Sequence, residues 1–388
     1  MVTEGTQNYS GKIISVSWNG YQENIAHAVV EFLTRNGATV SSTQHPLFSD
    51  DEFTVRTINA KSIDPTIRKR RRLIRSPLSY ALDMFYERAS FRSELAIFFS
   101  CHLAILRIIF FRNRNFIYWT MDYSPRRFKN SVLNWGFNIV EKFVWERCLL
   151  HVDISHRALE ARSKSRQIPI NPTRDKIVSA GVHREYLKYP DSDVLAAPKW
   201  VFLGNLFPHV GVTTFLKAFE YASNLHPNLE AVVIGRGPQL KPAMEFKNSL
   251  EHGGRIHFHP NLDDISKVRD ILSTCCLAFA PYVQDESSIS NYSDPGKVKD
   301  YLSASLPILI SNVPEISSTI AVRGGGEIIG DNPELIAKLA LSIIENETEW
   351  LNRANKAHQL ALEFDWDVLL THLFSDLFKK SNYDFLNK

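Results

Sequence analysis

Trp200-Val201-Phe202-Leu203-Gly204-Asn205 is a row of four apolar residues closed by a turn, and it is the first of four such pieces. Leu229 to Ile234 closes in Gly235-Arg236-Gly237-Pro238, Ile256-His257-Phe258 in His259-Pro260-Asn261, and Leu277 to Ala280 in Pro281-Tyr282. Short apolar runs bounded by turn residues suit strands buried on both faces, and the helical spacing at Thr213 to Asn224 suits a crossover between two of them. The four turns then gather at the carboxyl edge of one parallel sheet, where open α/β sheets bind their ligands.

The same alternation runs through the first half. Lys12 to Trp18 reads as a strand with Asn19-Gly20 as its turn, and Ile25 to Asn36 as a helix stopped by Gly37. Further pairs are Leu95 to Phe99 with Cys101 to Phe110, Phe116 to Met121 with Asn130 to Cys148, and Leu150 to Ile154 with Arg157 to Ser163. The predicted fold class is α/β, with two Rossmann-like, doubly wound domains. A length of 388 residues suits two such cores. Lys188 to Lys199 has the Pro- and Asp-rich composition of a linker, so the boundary is placed there, at 1–190 and 191–388.

Composition excludes several classes. The chain is 44% hydrophobic and 22% charged, as globular proteins are, and its net charge of +3 gives no reason to expect nucleic acid as a partner. Cys101, Cys148, Cys275 and Cys276 show no C-x-x-C spacing, so they read as buried thiols of a reducing compartment. Met1 to Ser10 has no secretory pattern, and the expected location is cytoplasmic. Leu95 to Phe111 is broken by His102 and Arg107 and is too short for a membrane span.

The chemistry concentrates between Ala280 and Ile310. Asp294 before Pro295 reads as an N-cap, and Gly296 opens a helix running to about Ser305. Val298, Tyr301 and Leu302 form its buried face, while Lys297 and Asp300 share another. A helix N-terminus with a glycine and a lysine in its first turn can cradle a diphosphate, and Asp300 can accept hydrogen bonds from a ribose. Taken alone, the same residues describe an ordinary surface helix. Together with Gly204, Asn205, Gly235, Arg236 and Tyr282 at neighbouring strand ends, they form the rim of a nucleotide site.

These residues resemble the donor domain of GT-B glycosyltransferases, in which one strand ends in Gly, another in Gly-x-Gly, and a third is followed by Pro-Tyr. The later segment of that group, roughly Pro-x-Lys-x-x-Glu-Tyr-Leu-Ala-x-Gly-x-Pro-Val, is matched by Pro295 to Leu309, with Asp300 in place of Glu and Ser305 in place of Gly. The paired glutamates of many retaining members are missing, since Tyr292 stands where the first would be. The resemblance implies two domains facing a cleft, a last helix from Phe364 to Phe378 that returns to the first domain, and a nucleotide-sugar donor, UDP-linked. It also implies a carbohydrate or lipid-linked acceptor and no metal or other cofactor. Asp191-Ser192-Asp193 and Asp365-Trp366-Asp367 have the form of metal-binding D-x-D triplets, but the first sits in a linker and the second introduces a helix.

The chain is also similar, more distantly, to the membrane-associated glucuronosyltransferases of xanthan assembly, through Asp122, Asp153-Ile154-Ser155 and Ser179 to His183. That likeness implies Asp122 as general base. Chemistry agrees, because an inverting transfer needs a carboxylate to take the acceptor hydroxyl's proton, although Asp122 could equally cap the turn into Pro125. Asn19, Arg126 and Arg127 are candidates for acceptor or phosphate binding. Arg68 to Arg72 and Arg75, ahead of Leu78 to Tyr86, suit docking on an anionic membrane surface at the cytoplasmic face, or a merely solvated basic helix. Two alternatives remain on the same residues: a nucleotide-sugar 2-epimerase and a non-enzymatic sugar-binding protein.

Overall fold

The computed structural model describes residues 9–10, 12–19, 23–45, 54–59, 62–64, 93–111, 115–121, 123–262, 264–285 and 288–379. The chain divides into two compact units, residues 1–179 with 366–388, and residues 180–365.

In chain order the first unit contains β1 (Ile13–Asn19), α1 (Glu23–Arg35), β2 (Thr39–His45), β3 (Thr54–Asn59), β4 (Ser62–Asp64), β5 (Leu95–Phe98), α2 (Cys101–Phe111), β6 (Phe116–Trp119), α3 (Ser131–Trp145), β7 (Leu150–Asp153), α4 (His156–Arg166) and β8 (Asp175–Ile177). They form one sheet ordered β4-β3-β2-β1-β5-β6-β7-β8, antiparallel at β3 and β4 and parallel elsewhere. The expected strands and crossovers are present. The polar β2, with Ser41, Ser42 and Thr43, lacks an apolar run to announce it, and it buries Ser42 and Thr43 beside the buried Ser15 and Ser17 of β1. Among the described residues no helix is long and apolar enough to cross a membrane, and Leu95 to Phe111 is β5 followed by α2.

The second unit contains β9 (Lys199–Leu203), α5 (Val212–Leu225), β10 (Glu230–Ile234), α6 (Leu240–Ser249), β11 (Ile256–His259), α7 (Ile265–Leu272), β12 (Leu277–Ala280), α8 (Gly296–Ser303), β13 (Ile308–Ser311), α9 (Ser317–Arg323), β14 (Glu327–Ile329), α10 (Pro333–Ile344) and α11 (Glu347–Glu363). All six strands are parallel, in the order β11-β10-β9-β12-β13-β14. The order reverses between β9 and β12. That is the topological switch point, where crossovers leave toward opposite faces and a crevice opens at the strand ends.

The last helix, α12 (Trp366–Lys379), belongs to the first unit. Trp366, Leu370, Leu373 and Phe374 join the core of α1 and β1, and Arg35 makes a two-pronged ion pair with Asp367 at 2.6 and 3.0 Å. The division at Ser179 and Ala180 lies ahead of the stretch expected to be a linker, because that stretch packs within the second unit. The Lys188 N–H donates to Ser303 O at 2.8 Å, and the Lys188 carbonyl accepts from Ser305 Oγ at 2.6 Å. Asp191 caps a short turn of helix by accepting from the Asp193 N–H.

The first unit is braced by a buried ionic network. Glu141 of α3 takes ion pairs from Arg162 and Arg166 of α4 and a 3.0 Å hydrogen bond from the Tyr118 hydroxyl, and Arg162 also binds Asp153 at 2.9 Å. Burial pushes the Glu141 carboxyl up, but the two guanidinium groups outweigh it and hold the net value below the carboxylate norm. Its stabilising contribution is therefore complete above the unfolded carboxylate range and is lost as pH falls through the folded value. Glu141→Gln leaves two buried cations without their shared partner and is predicted to cost about 3–5 kcal/mol in urea unfolding at neutral pH. A loss under about 1 kcal/mol would show that the network does not support the fold.

Candidate functional site

The switch point of the second unit carries two turns that only glycine can form. Gly204 after β9 and Gly235 after β10 both have φ of 135°, in the region that L side chains avoid. A Cβ on Gly235 would lie 2.0 Å from the Gly204 carbonyl oxygen, so the turns touch backbone to backbone. They are zipped further by Leu206 N–H to Arg236 O at 2.9 Å and Gln239 N–H to Leu206 O at 2.8 Å. Gly211, which precedes α5, has φ of 78°, and a Cβ there would meet Pro281 O at 1.8 Å. This brings the turn after β12 to the same place.

Helix α8 is fixed against these strand ends by one hydroxyl. Tyr301 Oη accepts from the Leu203 N–H at 2.6 Å and donates to Phe279 O at 3.1 Å, tying the helix to β9 and β12 together. Val298, Tyr301 and Leu302 are buried as their spacing predicted. The cap differs from expectation. Pro295 is the N-cap and offers no side-chain acceptor, and of the first-turn amides Val298 N–H donates to the Pro295 carbonyl at 3.1 Å. Asp294 instead accepts the Ala180 N–H at 2.7 Å and forms an ion pair with the buried Lys299, because a buried ammonium requires a counter-charge. At Gly296 an added Cβ would meet nothing within 4 Å, so open space lies over the helix start.

Lys297 is the unusual group. Its Nζ is buried and has no hydrogen-bond partner among the described residues. It lies 4.3 Å from the centre of the Tyr282 ring and 4.8 Å from that of Phe202, while a Cβ on Gly204 would reach its Cδ at 3.2 Å. Two aromatic faces supply some cation–π attraction, yet burial still pulls the ammonium down to about 7. One turn along, burial pushes the Asp300 carboxyl up to about 6, with the Arg269 guanidinium pulling the other way. Arg269 itself lies over the Tyr186 ring at 3.2 Å.

Of the residues expected at this site, the structure brings Gly204, Gly235, Tyr282, Gly296 and Lys297 together, with Asp300 one turn on. Asn205 and Arg236 stand exposed on the two glycine turns. Gly211 was not singled out in the sequence, whereas Gly237, within the turn read from it, packs so closely that a Cβ there would meet Leu206 O at 2.7 Å. Reading the sequence also missed His209, which lies near enough to Lys297 and Asp285 to feel both charges while burial pulls its imidazole down. The apolar-glycine junction at Val210-Gly211-Val212 was the available signal for Gly211. In the first unit, Arg126 and Arg127 are exposed at the end of the segment after β6, and Asn19 ends β1 beside His45. Asp122, Arg68 to Arg72 and Arg75, and the Asn19 side chain lie outside the described residues.

Residues 194–361 match the family model described as "Glycosyl transferases group 1". No curated protein sequence matches the chain. Among solved structures, sucrose-phosphate synthase from Thermosynechococcus elongatus is 13% identical, with a TM-score of 0.68 over 95% of this chain and 100% of that one. HepE from Anabaena, in complex with UDP and glucose, is 13% identical, with a TM-score of 0.65 over 94% and 99%. A Listeria monocytogenes protein provisionally described as a UDP-N-acetylglucosamine 2-epimerase is 14% identical, with a TM-score of 0.60 over 96% of each chain. The architecture is the two-domain, Rossmann-like GT-B fold, and the stretch that resembles the glycosyl-transferase family lies within the second unit.

A buried cation without a partner destabilises the protein that holds it. Lys297→Met is therefore predicted to leave thermal stability unchanged or raise it in nucleotide-free buffer, and to abolish most of the stabilisation that UDP confers on the wild type. Differential scanning calorimetry with and without UDP measures both. A variant less stable than wild type but equally stabilised by UDP would contradict this role for Lys297.

Proposed function

We propose that the protein transfers a sugar from a UDP-sugar to a carbohydrate or lipid-linked acceptor without a metal ion. The observation that carries the reading is Lys297 Nζ, buried without a hydrogen-bond partner among the described residues, beside two glycine turns and a helix N-terminus with no side-chain cap. A diphosphate supplies the missing counter-charge and hydrogen-bond acceptors, and the first-turn amides of α8 supply donors and the positive end of a dipole. Asp300, half-buried one turn further, is placed to accept the ribose hydroxyls.

In the transfer, the acceptor oxygen bonds to the anomeric carbon while the bond from that carbon to the diphosphate breaks. Negative charge grows on the leaving phosphate, and a fixed ammonium in a poorly solvated place stabilises it more than water would. This gives Lys297 a role in the reaction as well as in binding. Asp122 is the proposed general base in an inverting reaction, on the strength of its place after β6 and of the likeness to glucuronosyltransferases. Arg126, Arg127 and Asn19 are proposed for acceptor contacts, and the basic run at Arg68 to Arg72 with Arg75 for contact with an anionic membrane surface.

An epimerase shares the fold, as the Listeria structure illustrates. The glycosyl-transferase family match over residues 194–361 favours transfer.

Incubation with a panel of UDP-sugars and lipid-linked or free oligosaccharide acceptors is predicted to release UDP in step with acceptor glycosylation, and Asp122→Asn to lower the rate by about a hundredfold or more with little change in donor affinity. Conversion of UDP-N-acetylglucosamine to its epimer without acceptor would replace transfer by epimerisation. Full activity in Asp122→Asn would remove the base assignment alone.

A further inference from the structure

Helix α3 is buried most deeply at its C-terminal end, and Phe137 and Val140 pack partly buried against the core. Its buried residues are Glu141, Val144 and Trp145, all in the last two turns, while every residue from Ser131 to Val140 is exposed or partly exposed. That outward half is apolar. Val132, Leu133, Trp135 and Ile139 are 70%, 52%, 67% and 47% exposed, and Val132, Trp135 and Ile139 recur at the spacing of a single helical face. Isolated exposed apolar side chains need no explanation, but four on two successive turns, a tryptophan among them, mark a contact surface.

The segment that leads into the helix is basic and held in place. Asn130 caps α3 by accepting from the Val132 and Leu133 amides. Asn134 binds the Phe128 backbone from both sides, accepting from its N–H at 2.9 Å and donating to its carbonyl. Phe128 packs edge-on to Phe137, and the Arg127 guanidinium lies 4.8 Å over the Phe137 ring. Arg126, Arg127 and Lys129 are thereby presented, exposed, at the start of the apolar stripe. On the helix itself the exposed Glu146 is paired with Lys142 and Arg147, so the exposed charge from 126 to 147 is net positive.

From this geometry we infer that the outward face of α3 docks on an anionic phospholipid surface. Val132, Trp135 and Ile139 enter the headgroup boundary, and Arg126, Arg127 and Lys129 lie against the phosphates. The charge pattern selects the occupant: an apolar stripe beside fixed cations fits the lipid interface, where tryptophan and basic residues both gain, whereas a second copy of the same surface would bring like charges together. This surface is built from residues other than Arg68 to Arg72 and Arg75, which lie outside the described residues. It rests on the glycosyltransferase reading only for its purpose, since residues 120–130 join α3 to the end of β6 and docking would bring a lipid-linked acceptor to that end.

The seven tryptophans allow a selective test. Trp18, Trp119, Trp145, Trp200, Trp350 and Trp366 are buried, and Trp135 alone is exposed. The full-length protein is mixed with vesicles of phosphatidylcholine, or of phosphatidylcholine with phosphatidylglycerol, and sedimented. Binding is expected to the anionic vesicles and to weaken in high salt. A blue shift and quenching by brominated lipid are expected as well, both lost in Trp135→Phe. The double variant Trp135→Glu with Ile139→Glu is expected to lower partitioning by about tenfold or more. Its unchanged stabilisation by UDP would show that it remains folded. Absence of wild-type binding, binding that the double variant retains, or an unquenched Trp135 in the bound state would overturn the inference. So would a vesicle-free dimer that the double variant abolishes. Failure of the glycosyltransferase reading shows separately, as a wild-type protein that UDP does not stabilise whether or not it binds vesicles.

Discussion

A cation held out of water without a counter-ion is among the least favourable groups a folded protein can keep, and the second unit of this molecule comes near to holding one. Lys297 Nζ lies against two aromatic rings at the meeting of three strand ends and has no hydrogen-bond partner among the described residues. The contrast is two residues away. Lys299, equally buried, is given Asp294 as its partner. The same helix thus carries one lysine paired by the fold and one with no hydrogen-bond partner among the described residues. The close approach of Gly204 to Gly235 and the clamp of Tyr301 on Leu203 and Phe279 hold that second position open.

The first unit applies ionic groups differently. Glu141, Arg162, Arg166 and Asp153 neutralise one another inside the core, so they brace α3 and α4 against the sheet and leave no unmet demand for a ligand. Toward its N-terminal end α3 keeps Phe137 against the core and leaves Val132, Leu133, Trp135 and Ile139 exposed. Structural and functional charges are told apart here by whether a partner is present, more than by how buried they are.

Much of this was legible before any coordinates. The strands ending in Gly204, Gly235 and Pro281 announced themselves because parallel strands buried on both faces must be apolar and their turns must not be. The buried face of α8 followed from spacing alone. What stayed hidden depends on contacts between distant residues. Asp294 looked like a cap in sequence, and only the approach of Ala180 and Lys299 gives it other work. Ser305, standing where a glycine was expected, keeps the left-handed conformation with φ of 58° and holds it by donating to Lys188 O. The stretch 188–199 read as a linker because its partners, Ser303, Ser305 and His358, lie more than a hundred residues downstream. Strand β2 escaped notice for the opposite reason, since its buried positions are serine and threonine. Asp122 remains a reading of the sequence.

Lys297 is proposed to be a poorly solvated ammonium that a nucleotide diphosphate completes. Selective 13C labelling of lysine, followed by a pH titration of the Lys297 Cε resonance with and without UDP, observes that group directly. A midpoint is expected near the value of about 7 that burial imposes on the empty protein, moving upward by at least a unit or so when UDP binds, since an adjacent anion favours the charged form. A midpoint in the ordinary lysine range that UDP leaves unmoved would contradict it.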